Sequence, residues 1–144
     1  MSRRTSILKA IMDKLKTIDG NTTNINLYGN AFAKLKYWDD VNDFPSVYGV
    51  AGTEVREYLP GEFVWGYLNT SLKVYCKGED SQEQLELLLE DIENTIDANR
   101  ALVYDTDKNY ETTEILVTSI TTDEGLLVPF AIGEINLQIR YQVM

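Results

Sequence analysis

The chain has no histidine, and its 144 residues include one cysteine and three prolines. Without histidine the commonest general base and the commonest metal ligand are both missing, which lowers the prospect of an enzyme; the remaining carboxylates, tyrosines and lysines gather nowhere in sequence. A lone Cys76 cannot form an intrachain disulfide. It sits in an alternating apolar/polar run and reads as a small buried hydrophobe, which fits a reducing compartment. No apolar run approaches the ~18 residues of a membrane span, and the start Met1-Ser2-Arg3-Arg4 leads into an amphipathic pattern rather than a signal peptide. A soluble, intracellular protein with no membrane partner is the expectation. Gly49, Gly52 and Gly61 lack phosphate-loop spacing and read as turn and bulge glycines.

Basic residues are scarce after the first quarter. Residues 1–36 hold seven Lys/Arg against two Asp/Glu, a balance of +5, whereas residues 37–144 hold six against twenty-one, a balance of -15. An acidic balance of -10 overall argues against sequence-specific nucleic-acid binding, which needs a basic stripe. The basic beginning is free to meet the acidic remainder of its own chain or of a neighbouring one.

A chain of 144 residues fits one domain, able to bury roughly 70% of its unfolded surface. Ile7, Leu8, Ile11, Leu15 and Ile18 recur at helical spacing and predict an amphipathic helix over residues 6–18, stopped by Asp19-Gly20-Asn21. Residues 21–30 read as a loop with room for a short strand. Alternation predicts strands at 31–38, 46–51 and 54–59, with Gly52 separating the last two. Pro60-Gly61-Glu62 predicts a hairpin turn into a long strand over 63–77 that puts Leu68, Thr70, Leu72, Val74 and Cys76 on one face.

A second helix is expected from Ser81 to about residue 97, with Ser81 and Gln84 as a capping box and Leu85, Leu88, Leu89, Ile92 and Ile96 as its apolar stripe. Its acids Glu83, Glu86, Glu90, Asp91 and Glu93 read as a solvated or partner-facing side. Residues 104–112 look turn-like, 113–121 β-prone, and 129–144 a strand with the cleanest two-residue period in the chain. The expected architecture is a single α+β domain, a mainly antiparallel β-sheet with two α-helices packed on one face.

Two clusters invite a chemical reading. Asp39, Asp40, Asn42 and Asp43 offer oxygen ligands to a divalent cation, but they lack the glycine and distal glutamate of an EF-hand, and a solvated acidic turn accounts for them. No catalytic residue, metal or cofactor is assigned. Trp38, Phe44, Tyr58, Phe63 and Trp65 lie in or beside turns, where core packing competes with a role as interface anchors.

The order of these features resembles the tail terminator (tail completion or minor tail) proteins of long-tailed bacteriophages. The resemblance is carried by Phe44-Pro45-Ser46-Val47-Tyr48, by Gly52-Thr53-Glu54, by the strand ending Leu72-Lys73-Val74-Tyr75, and by Glu79-Asp80 opening the helix through Leu85-Glu86-Leu87-Leu88-Leu89-Glu90-Asp91-Ile92-Glu93. It implies a structural virion subunit, assembled in the host cytoplasm, that forms a homo-oligomeric ring (a hexamer) at the head-proximal end of the tail tube. Its partners are then other copies of itself, the tail tube protein, a neck or connector protein, and genomic DNA crossing the channel without sequence-specific contact. Other neck or head-completion proteins, or a small carboxylate-based metal- or ligand-binding domain, are the alternatives.

Contact regions are expected at residues 39–65 and on the basic first helix. The named candidates are Arg3, Arg4, Lys9, Lys14 and Lys16, then Trp38, Asp39, Asp40 and Phe44, then Tyr58, Phe63 and Trp65, and the helix acids Glu86, Glu90 and Glu93. Head-to-tail contacts of basic on acidic surface close into rings when the rotation permits.

Overall fold

In the computed structural model, which describes residues 2–143, helix α1 spans Arg3–Leu15. It begins three residues earlier than expected because Ser2 caps it, its Oγ accepting from the Thr5 amide at 3.1 Å. Arg3 and Arg4 carry no apolar signal, so periodicity alone starts the helix too late. Ile18 remains buried, just past the helix end, where the Ile18 amide donates to the Leu15 carbonyl.

The expected strand at 31–38 shrinks to β1, Ala31–Phe32, which pairs in parallel with Val47 and Tyr48. Residues 33–38 are not strand, and the alternation there is coincidental. Residues 46–59 form one strand, β2 (Ser46–Leu59), rather than two. Its register steps from Ala51↔Thr70 to Glu54↔Leu68, so one extra residue is accommodated at a bulge around Gly52-Thr53. The bulge reverses the side-chain parity: Val47, Gly49 and Ala51 face the helices before it, and Glu54 does so after it. A break in alternation reads as a break in the strand when it is a bulge.

Strand β3, Phe63–Lys77, follows the hairpin turn, and helix α2, Ser81–Asp97, follows β3. Asp80, not Ser81, is the N-cap of α2, and it makes no side-chain cap bond; Ser81 is the first helical residue and is buried. The expected capping box is therefore absent, and Gln84 Nε2 instead donates to Asp80 Oδ2 at 3.2 Å. Residues 104–112 are more ordered than a turn, forming the hairpin of β4 (Val103–Asp105) and β5 (Tyr110–Glu111). Strands β6 (Glu114–Thr122) and β7 (Phe130–Gln142) complete a sheet of order β1-β2-β3-β7-β6, antiparallel except for the β1/β2 pair.

Both helices cover one face of this sheet, giving the expected α+β class. Beneath α1, a Cβ on Gly49 would sit 2.9 Å from Met12 Sδ and 3.1 Å from Leu8 and Leu72 side-chain carbons. Beneath α2, one on Gly133 would meet Leu89 at 3.1 Å and Leu85 at 3.2 Å. One apolar cluster joins Ile7, Ile11 and Leu15 of α1 with Leu68 and Leu72 of β3, Leu85, Leu88 and Ile92 of α2, and Ile135 and Ile139 of β7. Cys76 is inside it, its thiol pushed up to about 12 by desolvation.

Asp91 departs from its expected place among the solvent-facing acids. It is buried, with Oδ1 accepting from the Asn24 amide (2.9 Å) and Asn24 Nδ2 (3.0 Å), and Oδ2 from the Ile25 amide (2.8 Å). It ties the long α1–β1 connection to α2 and satisfies backbone donors that have no strand partner.

Candidate assembly surfaces

The contact candidates between residues 38 and 65 do not form one patch. They divide between the two ends of β2, whose 14 residues span roughly 45 Å. At the end where β2 begins, Trp38 packs edge-on against Phe130 (centroids 5.4 Å) and Phe44 lies 5.8 Å from the same ring. Lys77 Nζ sits 5.2 Å from the Phe130 centroid and 5.9 Å from that of Phe44, within cation–π range. Behind them Val41, Tyr48 and Tyr75 make a second small core on the sheet face away from the helices, and Tyr75 Oη donates to the Lys36 carbonyl at 2.7 Å. Residues 33–45 are held by these contacts rather than by strand pairing. Trp38 stays 40% exposed, and Leu126 (84%) and Val128 stand exposed in the β6–β7 connection.

Asp39 and Asp40 are exposed on this end. Among the described residues no group of three or more His, Cys, Asp or Glu side chains is placed to hold a metal ion. No helix among them is long and apolar enough to cross a membrane.

The β6–β7 connection is organised by Asp123. Its carboxylate accepts from Gln82 Nε2, from the Leu127 amide and from the Ile132 amide, each at 3.1 Å. Desolvation raises its pKa, but these donors outweigh it and hold the carboxyl below its ordinary value of 3.8. A depressed folded pKa gives stability that is present above the ordinary value and lost as pH falls through the folded one. Asp123→Asn is therefore expected to melt below the parent at pH 7, with the gap closing as both are acidified below 3.8. Thermal melting of both proteins across roughly pH 2 to 7 reads the gap; a gap that widens on acidification contradicts it.

At the opposite end the β2–β3 hairpin projects with Tyr58 71% and Val55 57% exposed. Phe63 and Trp65 pack 5.2 Å apart, and the Arg140 guanidinium stacks 4.3 Å over Trp65, so these two aromatics are half-covered. Arg56 pairs with Glu54 at 3.0 Å, and Glu54 also accepts from Tyr141 Oη. Burial first, and then that hydrogen bond, raise the Tyr141 pKa. Arg4 donates to the Gly52 carbonyl, anchoring the start of α1 at the bulge. Arg3 is exposed close by.

The charged helix candidates lie between these ends. Lys9 and Lys16 both reach Asp13, at 3.2 and 3.5 Å, and Lys14 is exposed. Glu86 and Glu90 are exposed on α2 and Glu93 is partly so. Among the described residues no ion pair joins α1 to α2.

Sequence reasoning missed Phe130, Lys77, Arg140 and Asp123. The apolar run Leu126-Leu127-Val128 after a Gly125 turn was a visible signal for the exposed connection; the long-range partners were not.

Comparison with known proteins follows this architecture along its whole length. The family model described as Bacteriophage Tail Tube Terminator Protein matches residues 1–144. The tail tube terminator protein of Escherichia phage T5 is 39% identical over 153 residues, covering 99% of this chain and 95% of that protein. A chain in the solved virion of a native gene transfer agent particle shares the fold, with a TM-score of 0.66 at 10% identity over 98% of this chain and 99% of that one. This chain belongs to the bacteriophage tail tube terminator family.

Proposed function

We propose that copies of this chain close into a ring, hexameric as the family resemblance implies, that seats on the last layer of the tail tube at its head-proximal end. The ring stops tube growth, receives a neck or connector protein on its other side, and leaves a central passage for DNA. Its role is structural, and it is assembled in the host cytoplasm into the virion. One observation carries the reading: β2 ends in two chemically different surfaces, the Trp38, Phe44, Phe130 and Lys77 cluster at one end and the exposed Val55 and Tyr58 hairpin at the other. A terminator needs two different docking ends, because tube and neck are different partners. Exposed aromatic and aliphatic anchors are what such docking uses.

Tail preparations from phage lacking this chain test the proposal. The expected result is tubes of uncontrolled length without attached heads, restored when the intact chain is supplied in trans. Tubes of normal length carrying heads contradict it. Tyr58→Ala with Val55→Ala, both exposed, is expected to leave melting within about 1 °C of the parent while impairing restoration at least tenfold, by the usual weight of hot-spot residues.

A further inference from the structure

The sheet has two open edges, and the helices beside them carry opposite charge. β1 covers only Val47 and Tyr48 of β2, leaving the rest of β2 as one outer strand; β6 is the other. β2 and β7 run one way and β3 and β6 the other. A second copy laid alongside in the same orientation therefore brings its β2 antiparallel to β6 of the first, the relation that already joins β2 through β6. The free part of β2 and the 9-residue β6 are also similar in length.

Helix α1 packs over β1 and β2, and α2 over β3, β7 and β6. On the β1 side, Lys9 and Lys16 of α1 line a groove with Phe32 and Lys34; Lys9 and Lys16 share the acid Asp13, and Lys34 Nζ lies 5.5 Å from the Phe32 ring centroid. On α2, Asp91 faces the α1–β1 connection, whereas Gln82 reaches Asp123 beside β6. Glu86, Glu93 and Asp97 follow Gln82 at multiples of about 3.6 residues and lie on that same flank. Among the described residues Asp97 alone of these has an ion pair, a 3.9 Å contact to Arg100.

We infer that neighbouring copies join edge to edge and head to tail, β6 of one pairing antiparallel with β2 of the next, so that the Glu86, Glu93 and Asp97 flank of one α2 meets the Lys9, Lys16 and Lys34 flank of the next α1. The occupant of each open edge is a second copy of this chain. This rests on the ring reading above and specifies how the ring closes. A heterologous contact of this kind leaves no unpaired edge once the ring is complete, which removes the aggregation hazard of two exposed edge strands. Charge complementarity fixes which edge meets which, since like edges repel.

Cross-linking in assembled tails tests the inference. Ser119→Cys on β6 and Val50→Cys on β2 replace exposed residues on one level of the sheet, Ser119 being opposite Asn136, Asn136 opposite Ser71 and Ser71 opposite Val50, and the native Cys76 is buried with its thiol pushed up to about 12, so a short bis-maleimide at neutral pH reads only the introduced thiols. The double variant is expected to give a ladder beyond the dimer, and neither single variant any product. A dimer from a single variant, or no ladder in tails that carry a ring of copies, overturns the edge pairing while leaving the ring standing. Tails that carry no ring of copies overturn the ring itself. Charge reversal supplies the second reading: Glu86→Lys with Glu93→Lys is expected to lower the fraction of head-bearing tails about tenfold, and adding Lys9→Glu with Lys16→Glu to restore it within a few-fold. Thermal melts that match the parent exclude misfolding. Equal loss in the double and quadruple variants overturns the pairing of these flanks.

Discussion

Asp91→Ala is expected to lower the unfolding free energy by about 3–4 kcal/mol, because it strands the buried donors of Asn24 and Ile25 that the carboxylate now satisfies. Asp91 is 2% exposed, so water cannot simply take its place. For a domain of this size the loss corresponds to a fall in Tm of about 10 °C. Asp91→Asn keeps one acceptor but turns an amide NH2 toward a donor, and an intermediate fall is expected. Thermal unfolding by circular dichroism checks both. Equal melting of Asp91→Ala and the parent contradicts the assignment of Asp91 as the tie between α2 and the α1–β1 connection.

Leu72→Ala is expected to cost about 3–5 kcal/mol, at the upper end of large-to-small core changes. Leu72 is 0% exposed and lies where the sheet meets α1: it is opposite Ile135 on β7 and opposite Gly49 on β2, whose missing side chain lets α1 settle against it. The cavity opens opposite a glycine, which has no side chain of its own to fill it. Denaturant unfolding should show a reduced midpoint with an unchanged slope. Both costs are a large share of the roughly 5–15 kcal/mol that holds a domain folded. Destabilisation below about 1 kcal/mol contradicts the central place given to Leu72.

Much of this fold was legible in the sequence wherever one face of an element is buried along its whole length. Ile135, Leu137, Ile139, Tyr141 and Val143 announced β7, and Leu85 to Ile96 announced α2, because a period of two or of about 3.6 survives in the residues themselves. Legibility failed where structure depends on long-range contact. Residues 33–38 alternate but have no strand to pair with beyond Phe32, and they are held instead through Trp38, Phe130 and Tyr75. The β2 bulge looked like a gap because Gly52 and Thr53 shift the alternation by one residue. Asp91 looked like one more solvated acid in a run of eight over residues 79–97. Its carboxylate is held by amides 66 and 67 residues away.

The assembly surfaces were partly legible in the same sense. Charge asymmetry and turn-borne aromatics pointed to contacts, but residues 39–65 read as one region although β2 carries its two halves to opposite ends of the molecule. Glu86 and Glu93 stood out as acidic, and only the placement of Gln82 against Asp123 gives their flank a direction, toward the β6 edge. The basic candidates separate likewise: Lys16 lines the groove on the β1 side, Lys14 the groove between α1 and residues 102–106, and Lys9 stands between the two and borders both.

Three-dimensional reconstruction of the neck of the intact virion tests the central claim most directly. The account predicts a closed ring of copies of this chain, on the last layer of the tail tube, with β6 of each copy antiparallel to β2 of the next and the two ends of β2 facing tube and neck. Density for this chain away from the tube's head-proximal end, or copies there that do not touch one another, contradicts it.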